Sequence, residues 1–246
     1  MMDREAFQEI DYRRMYGELT KWVAQIEDTS RIPEYISRAF HTATSGRPGP
    51  VVLALPEDML TEYADTKIIN SYQKIEAYPS PADLAQVEEM LSKSKAPLMI
   101  VGGGGWDEAS CQKIQDFAEK NHLPVGCSFR CQDYFDNRHP NYVGHIGIGL
   151  STSLQDRIIN SDLLVVIGAR LGEVTTSGYS LLDIPKPKQQ LIHIHSGAEE
   201  LGSVYQADLP INASPRSFAE AISRLEIAGS EKWASNTKQG NDDYLE

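Results

Sequence analysis

The sequence is poor in cysteine and in basic residues, and it has no long apolar run. Its three cysteines, Cys111, Cys127 and Cys131, form no CxxC pair, which argues against a disulfide framework. No segment of about 18 apolar residues occurs, so no membrane span is predicted. The N-terminal stretch MMDREAFQEIDYRR lacks the apolar core of a signal peptide. These absences predict a cytoplasmic protein with no membrane partner.

The balance of charge argues against one class of partner. The chain has 23 Lys and Arg against 35 Asp and Glu, a formal net charge of −12 that is spread along its length. Proteins that bind nucleic acid need a basic surface for the phosphates. We therefore predict no nucleic-acid partner.

The residues that could bind a metal or carry out catalysis are equally sparse. Cys127, Cys131, His139 and His145 are a conceivable zinc set, but their spacing fits no common zinc pattern, and buried thiols with surface histidines are the plainer interpretation. The sequence contains no GxSxG elbow, P-loop, HExxH or GDG-type metal–diphosphate motif. We predict neither a metal site nor a catalytic residue in this chain.

What is present begins with the end of an α/β domain, predicted for residues 1–60. Residues 32–44 carry an apolar stripe at helical spacing, and the turn GRPGP is followed by an apolar strand, VVLAL, at residues 51–55. Nothing before this strand is predicted to supply the other strands of a parallel sheet. The more polar residues 61–81 are predicted to form a linker.

Residues 82–225 alternate between helices and strands that are nearly continuous Val, Ile and Leu. The predicted strands are residues 97–101, 123–127, 162–168, 190–195 and 207–213, and the predicted helices are residues 82–94, 107–121, 154–160 and 215–225. This alternation is typical of an α/β domain with a doubly wound, mostly parallel sheet of the Rossmann-like, FAD- or NAD-binding type.

In such a sheet, ligands bind beyond the carboxyl ends of the strands, so candidate binding residues follow strands. Gly102, Gly103 and Gly104 either let a ligand approach the backbone closely or form a tight strand-to-helix turn. Arg130 either faces the ligand or is a solvated charge.

Two later stretches offer further candidates. In GHIGIG, the residues Gly144, His145 and Gly147 indicate either backbone that runs close to a flat ring system or a flexible loop. Arg170 and Glu173 follow an apolar strand, where they could grip a pyrophosphate or ribose, or pair to steady the loop. His193 and His195 share one strand face, and such a pair is more often packed or solvated than catalytic.

Six motifs together resemble those of the thiamine-diphosphate-dependent enzymes of the acetolactate synthase group. They are AFQEIDYRRMYGELTKWV, ATSGRPGPVVLALPEDM, APLMIVGGGG, GHIGIGL, SDLLVVIGARLGE and LIHIHSGAEELG. They occur in the family's order and at family-like spacing over nearly the whole chain. Each motif is loose by itself, but the series is quite specific.

The resemblance implies an enzyme of three α/β domains. Residues 1–60 would be the C-terminal part of the pyrimidine-binding domain, residues 82–225 the central domain, and residues 226–246 the start of a linker to the diphosphate-binding domain. The activating glutamate would precede Met1, and the GDG…N motif for Mg²⁺ and diphosphate would follow Glu246. The parent enzyme would use thiamine diphosphate and Mg²⁺ to decarboxylate a 2-oxo acid and ligate the product. This chain alone would be inactive.

The resemblance also implies partners and further binding residues. The parent enzyme would be a homodimer or homotetramer, with Phe7 and Gln8 near the active site. Its central domain would hold FAD or another adenine nucleotide. The contacts of this nucleotide would include Arg47 of SGRPGP, the glycine run Gly102–Gly104, the GHIGIG loop and the GAR strand end.

The chain departs from the family pattern where FAD would bind. It has GARLGEVTTSG where relatives show GARFDDRVTG, HIHSG where they show HIDID, and Ala213-Ser214 in place of GD. On the substrate side, Glu57 replaces a lysine that is common in relatives after the LP of the strand. We therefore expect altered or absent FAD binding and an undetermined 2-oxo acid. The alternative is a free-standing, non-catalytic nucleotide-binding module; a nicotinamide-dependent oxidoreductase would need the GxGxxG motif that is missing.

Overall fold

A computed structural model describes residues 4–67 and 69–246. The chain divides into two compact units, Met1–Ile75 and Glu76–Glu246, which we call the first and second units.

The first unit is built on a pair of short parallel strands. Its elements are α1 (Tyr12–Tyr16), β1 (Trp22–Gln25), a 3-10 turn (Thr29–Arg31), α2 (Ile32–Thr44), β2 (Val51–Ala54) and α3 (Glu57–Leu60). β1 runs parallel to β2, with Trp22 opposite Val51 and Gln25 opposite Ala54. The prediction of no strand before residue 51 is wrong, because the four residues of β1, of which only Ala24 is buried, leave too weak a pattern in the sequence.

Much of the apolar surface in the first unit is exposed. α2 begins and ends where the sequence predicts, yet none of its residues is buried, and Ile36 and Phe40 are 40% and 55% exposed. Parallel strands are normally covered on both faces, and a two-stranded sheet is marginally stable by itself.

The second unit is a six-stranded parallel sheet covered by helices. Its strands are β3 (Pro97–Val101), β4 (Val125–Ser128), β5 (Tyr142–Ile146), β6 (Leu163–Ile167), β7 (Gln190–His195) and β8 (Leu209–Asn212). Its α-helices are α4 (Pro81–Lys93), α5 (Glu108–Lys120), α6 (Thr152–Asn160), α7 (Pro215–Ile222) and α8 (Ala234–Leu245). The strands lie in the order β5-β4-β3-β6-β7-β8, and every neighbouring pair is parallel.

The sheet has a buried core on each face, so the predicted doubly wound α/β class is confirmed. Alternate residues of β3 enter the two cores: Met99 packs on the side of α4, α5 and α7, and Leu98 packs on the side of α6. Counted from β3, the strand order is 3-2-1-4-5-6, in which the direction of winding reverses between β3 and β6. This reversal is the topological switch point.

Two elements of the second unit escaped the sequence analysis. β5 lies where a glycine-containing loop was one of two interpretations, and Gly144 sits inside the strand at φ +119°. α8 lies within residues 226–246, which the resemblance treated as a linker. This helix is polar and docks in part through hydrogen bonds: Thr237 Oγ1 donates to the His122 carbonyl at 2.6 Å, and Asn241 Nδ2 donates to the Tyr142 carbonyl at 2.8 Å. Hydrophobic periodicity does not detect such docking.

Candidate functional site

The carboxyl ends of β3 and β6 meet at the switch point, where ligands bind in doubly wound sheets. The loop after β3 begins with Gly102 and Gly103, and the loop after β6 begins with Gly168 and continues to Arg170. The topology therefore brings together two of the stretches singled out in the sequence.

The glycines at this point are explained by contact between the two loops. The Gly102 N–H donates to the Ile167 carbonyl at 3.0 Å. A Cβ on Gly103, which has φ +71°, would lie 1.9 Å from the carbonyl oxygen of Gly168, and a Cβ on Gly168 would lie 2.5 Å from that of Gly102. Gly104 has no heavy atom within 4 Å of its Cβ position. Gly102 and Gly103 thus form a tightly packed turn, whereas Gly104 faces open space.

Two aromatic side chains that the sequence analysis missed fix this turn. Trp106 Nε1 donates to the Gly102 carbonyl and Tyr134 Oη donates to the Gly103 carbonyl, both at 2.8 Å, and the two ring centroids are 5.4 Å apart. Burial, aided by Cys131 and Asp133, raises the pKa of Tyr134 to about 12, so its hydroxyl remains a donor at neutral pH. Tyr134 was not detectable because it follows no predicted strand end.

The helix that follows the turn has an acidic N-terminus. Asp107 accepts a hydrogen bond from the Ser110 N–H at 2.8 Å, and Ser110 Oγ accepts one from the Asp107 N–H at 2.9 Å, which completes a capping box for α5. The hydrogen bonds from Ser110 hold the pKa of Asp107 below its ordinary value. Glu108 places a second carboxylate in the first turn.

Arg170 has a partner other than the one that the sequence suggested. Its Nε donates to Oε2 of Glu200 at 2.7 Å, and the Glu200 side chain is 10% exposed while that of Arg170 is 50% exposed. Glu173 is exposed and no ion pair joins it to Arg170 in the described part of the chain. The pairing that steadies the loop is therefore between Arg170 and Glu200, thirty residues apart.

The two histidines of β7 are buried and bonded to backbone. His193 Nε2 lies 3.0 Å from the Ala169 carbonyl, and His195 Nδ1 lies 3.0 Å from the Gly197 nitrogen. Burial lowers the pKa of His193, so its ring is neutral at neutral pH. These contacts hold the loops that follow β6 and β7 against the strand.

Arg130 follows β4 at the same edge of the sheet. It is an exposed residue at φ +62°, and its guanidinium carbon lies 5.2 Å from the centre of the Phe129 ring. A Cβ on Gly147 would lie 2.8 Å from the Cβ of Phe129, so this glycine makes room for a neighbouring side chain.

The remaining candidates of the GHIGIG stretch serve β5. A Cβ on Gly144 would lie 3.1 Å from the Leu154 side chain, which belongs to α6, so this glycine faces the helix layer. His145 Nε2 lies 3.0 Å from the Ile148 carbonyl just after the strand.

The other predicted residues belong to the first unit. Arg47 is exposed in the turn between α2 and β2, and no ion pair to it is found within residues 4–67. Phe7 is 93% exposed, and Gln8 has φ +61°. Glu57 is the first residue of α3.

Other kinds of site find little support in the described residues. Within residues 4–67 and 69–246, no group of three His, Cys, Asp or Glu side chains is arranged to hold a metal ion. No helix in the same ranges is long and apolar enough to cross a membrane. A cavity of about 570 Å³ beside α5 is lined by residues that include Gln112, Asp133 and Arg138, and its lining includes neither Gly103 nor Arg170.

The second unit is thus a doubly wound α/β domain with the strand order 3-2-1-4-5-6. Residues 84–222 match the family described as "Thiamine pyrophosphate enzyme, central domain", which covers more than half of the chain. The chain belongs to this family, as its motifs indicated.

Similar proteins carry two kinds of name. The chain is 28% identical to a probable acetolactate synthase large subunit of Methanocaldococcus jannaschii, over 95% of this chain and 41% of the relative. It is 28% identical to the acetolactate synthase large subunit of Corynebacterium glutamicum (92% and 36%) and to a probable sulfoacetaldehyde acetyltransferase of Rhizobium meliloti (88% and 36%). The chain therefore spans about two fifths of the length of these relatives.

Proposed function

We propose that this chain is the central portion of a thiamine-diphosphate-dependent enzyme resembling acetolactate synthase. The observation that carries the proposal is the family match, which falls on the six-stranded sheet of the second unit. In the whole enzyme, thiamine diphosphate supplies the carbanion chemistry by which a 2-oxo acid is decarboxylated and joined to an acceptor. The role of this portion is structural and positional.

The described residues do not fit the site of thiamine diphosphate and Mg²⁺. The sequence has no GDG…N motif, and no cluster of metal-ligating side chains is found within residues 4–67 and 69–246. Mg²⁺ needs carboxylate or carbonyl oxygens in octahedral geometry, usually together with substrate phosphates. We therefore assign no step of the reaction to this chain and expect it to be inactive alone.

The first unit supports the assignment of residues 1–60 to a pyrimidine-binding domain. Its two parallel strands and the exposed face of α2 are what a piece of a larger, covered parallel sheet would show. In this proposal Phe7 and Gln8 lie near an active site formed in a homodimer or homotetramer.

The coding sequence on either side of this segment tests the proposal directly. We expect a glutamate-containing pyrimidine domain upstream and a GDG…N segment downstream. Stop codons on both sides would contradict it and would favour a non-catalytic nucleotide-binding module.

The activity of the chain alone gives a second test. The chain is incubated with thiamine diphosphate, Mg²⁺ and pyruvate, and acetolactate is measured, with an intact acetolactate synthase as the positive control. We expect no product, and we expect calorimetry to show no binding of thiamine diphosphate. Acetolactate formed by the chain would contradict the assignment of catalysis to other domains.

The substrate needs its own experiment because relatives with both names are 28% identical to this chain. We propose a 2-oxo acid, with pyruvate as the first to be tried. The whole protein should be assayed with pyruvate and, in parallel, with sulfoacetaldehyde and phosphate. Turnover of sulfoacetaldehyde alone would contradict the 2-oxo acid proposal.

A further inference from the structure

The carboxyl edge of the six-stranded sheet carries the groups that a dinucleotide would need. In doubly wound domains the pyrophosphate lies against glycine backbone and a helix N-terminus at the switch point, and an arginine often grips it. FAD, or another adenine nucleotide, is the group that the motifs imply for this edge. If the edge bound such a nucleotide, these three groups would be free to receive its pyrophosphate.

The glycine backbone is already occupied by protein. The Cβ position of Gly103 lies 1.9 Å from the carbonyl oxygen of Gly168, and that of Gly168 lies 2.7 Å from a ring carbon of Pro215. The loops after β3 and β6 are therefore packed against each other. No room for a diphosphate is left between these two glycines.

The helix N-terminus is occupied by a carboxylate. Asp107 caps the thirteen-residue helix α5, and Glu108 adds negative charge in its first turn. These carboxylates satisfy the positive end of the helix, and Arg216, which lies 3.8 Å from the Asp107 carboxylate, offsets part of their charge.

The arginine is occupied as well. Glu200 reaches Arg170 with a charge-assisted hydrogen bond of 2.7 Å, and its carboxyl side chain is nine-tenths buried. The buried carboxylate depends on this charge-assisted hydrogen bond, whereas the half-exposed guanidinium is partly solvated, so the pair fixes the Nε edge of Arg170. A phosphate that approached the Nε edge of Arg170 would have to displace this carboxylate.

We propose that Glu200 is a built-in anion that replaces a nucleotide phosphate at Arg170, and that the switch-point edge of this domain is closed to FAD and other adenine nucleotides. The packing of Gly103 against Gly168 and the carboxylate cap of Asp107 remove two further groups that would receive the phosphates, and Gly104 alone faces open space. This closure is a property of the second unit alone, so it holds whichever reaction the whole protein catalyses.

The test measures binding to the full 246-residue chain. FAD is titrated with flavin fluorescence as the readout, and ADP and inorganic pyrophosphate are titrated by calorimetry. We expect the wild type to bind FAD and ADP no tighter than about 1 mM, an affinity too weak to retain a cofactor. Glu200→Gln keeps the size of the side chain and frees Arg170, so its pyrophosphate affinity should rise about ten-fold and fall again with added salt.

The matched control is Glu226→Gln, which removes the same charge from an ion pair with Lys120 elsewhere on the surface. It should leave pyrophosphate affinity unchanged. Micromolar binding of FAD or ADP by the wild type would overturn the closure, and unchanged pyrophosphate affinity in folded Glu200→Gln would overturn the role of Glu200. If that variant does not fold, Glu200→Asp replaces it, because aspartate withdraws the carboxylate by one methylene. Its pyrophosphate affinity should rise by less than ten-fold. An unchanged affinity would overturn the role of Glu200 equally.

Discussion

Gly103 and Gly104 are neighbours after β3, but only Gly103 is packed against another loop. The same substitution at each position should therefore change stability by different amounts. Gly103→Ala places a methyl carbon 1.9 Å from the Gly168 carbonyl oxygen at φ +71°. Alanine in this left-handed region costs about 1–2 kcal/mol. Relieving the overlap requires the loops after β3 and β6 to move apart, which adds about 1–3 kcal/mol. We expect the free energy of unfolding to fall by about 2–5 kcal/mol.

Gly104→Ala is the control, because the same change one residue later meets nothing. No heavy atom lies within 4 Å of its Cβ position. Restricting the unfolded chain would by itself stabilise the protein by about 0.4–1 kcal/mol. We expect the stability of this variant to be unchanged or slightly raised.

Urea unfolding followed by tryptophan fluorescence measures both changes. Trp106 is a suitable reporter since its indole donates to the Gly102 carbonyl at 2.8 Å. The two variants should differ in their unfolding midpoints with little change in the slope m. Equal losses in both variants, or an unchanged midpoint in Gly103→Ala, would refute the conclusion that Gly103 is required for packing of the two loops.

Three other substitutions test contacts of the second unit. Burial alone would raise the pKa of Asp162, but hydrogen bonds from Ser94, Lys95 and Ala96 lower it overall. Asp162→Asn should therefore lower the free energy of unfolding, measured in urea at pH 7, by about 1–3 kcal/mol. This loss should shrink as the pH falls below about 4, where the carboxylate becomes protonated. Burial lowers the pKa of His193, so below about pH 6.5 the unfolded state binds more protons than the folded state, and stability falls as the solution is acidified. His193→Gln should therefore flatten this part of the curve of melting temperature against pH. Thr237→Val removes the 2.6 Å hydrogen bond to the His122 carbonyl and should lower stability by about 1 kcal/mol, with earlier proteolysis at α8.

Two exposed residues serve as controls. Asp156→Asn and Ser235→Ala should leave the unfolding midpoint nearly unchanged. A cost of Asp162→Asn that stays constant between pH 7 and pH 3, or a His193→Gln profile that matches the wild type, would contradict the assigned pKa directions. Resistance of Thr237→Val to both effects would mean that α8 docks by other contacts.

The regular elements of the second unit were largely predictable from sequence. β3 begins and ends where predicted because a strand buried on both faces is a continuous apolar run, and β7 does so although two histidines interrupt its run. β1 and β5 were missed for the opposite reason, since one is short and half-exposed and the other contains a glycine inside the strand. α8 was missed because the sequence of a polar helix does not show where it docks.

The candidate site was predictable only as a set of positions. Loops that follow parallel strands meet at one edge, so the sequence placed the glycines of the β3 loop and Arg170 there correctly. What those residues do was not predictable, because each of their partners comes from a distant part of the chain. Glu200 has no local feature that marks it as the partner of Arg170. Position 103 must be glycine because a Cβ there would overlap the carbonyl oxygen of Gly168.

Local sequence was sufficient for the fold class and the family, because both are encoded in short-range patterns of burial, turns and motif order. The tertiary structure alone decided whether the ligand edge is open or filled. Filling depends on distances of 2–3 Å between loops about thirty or more residues apart, such as that between Arg170 and Glu200. Such distances are determined by how the sheet brings its strand ends together, and no pattern along the chain records them.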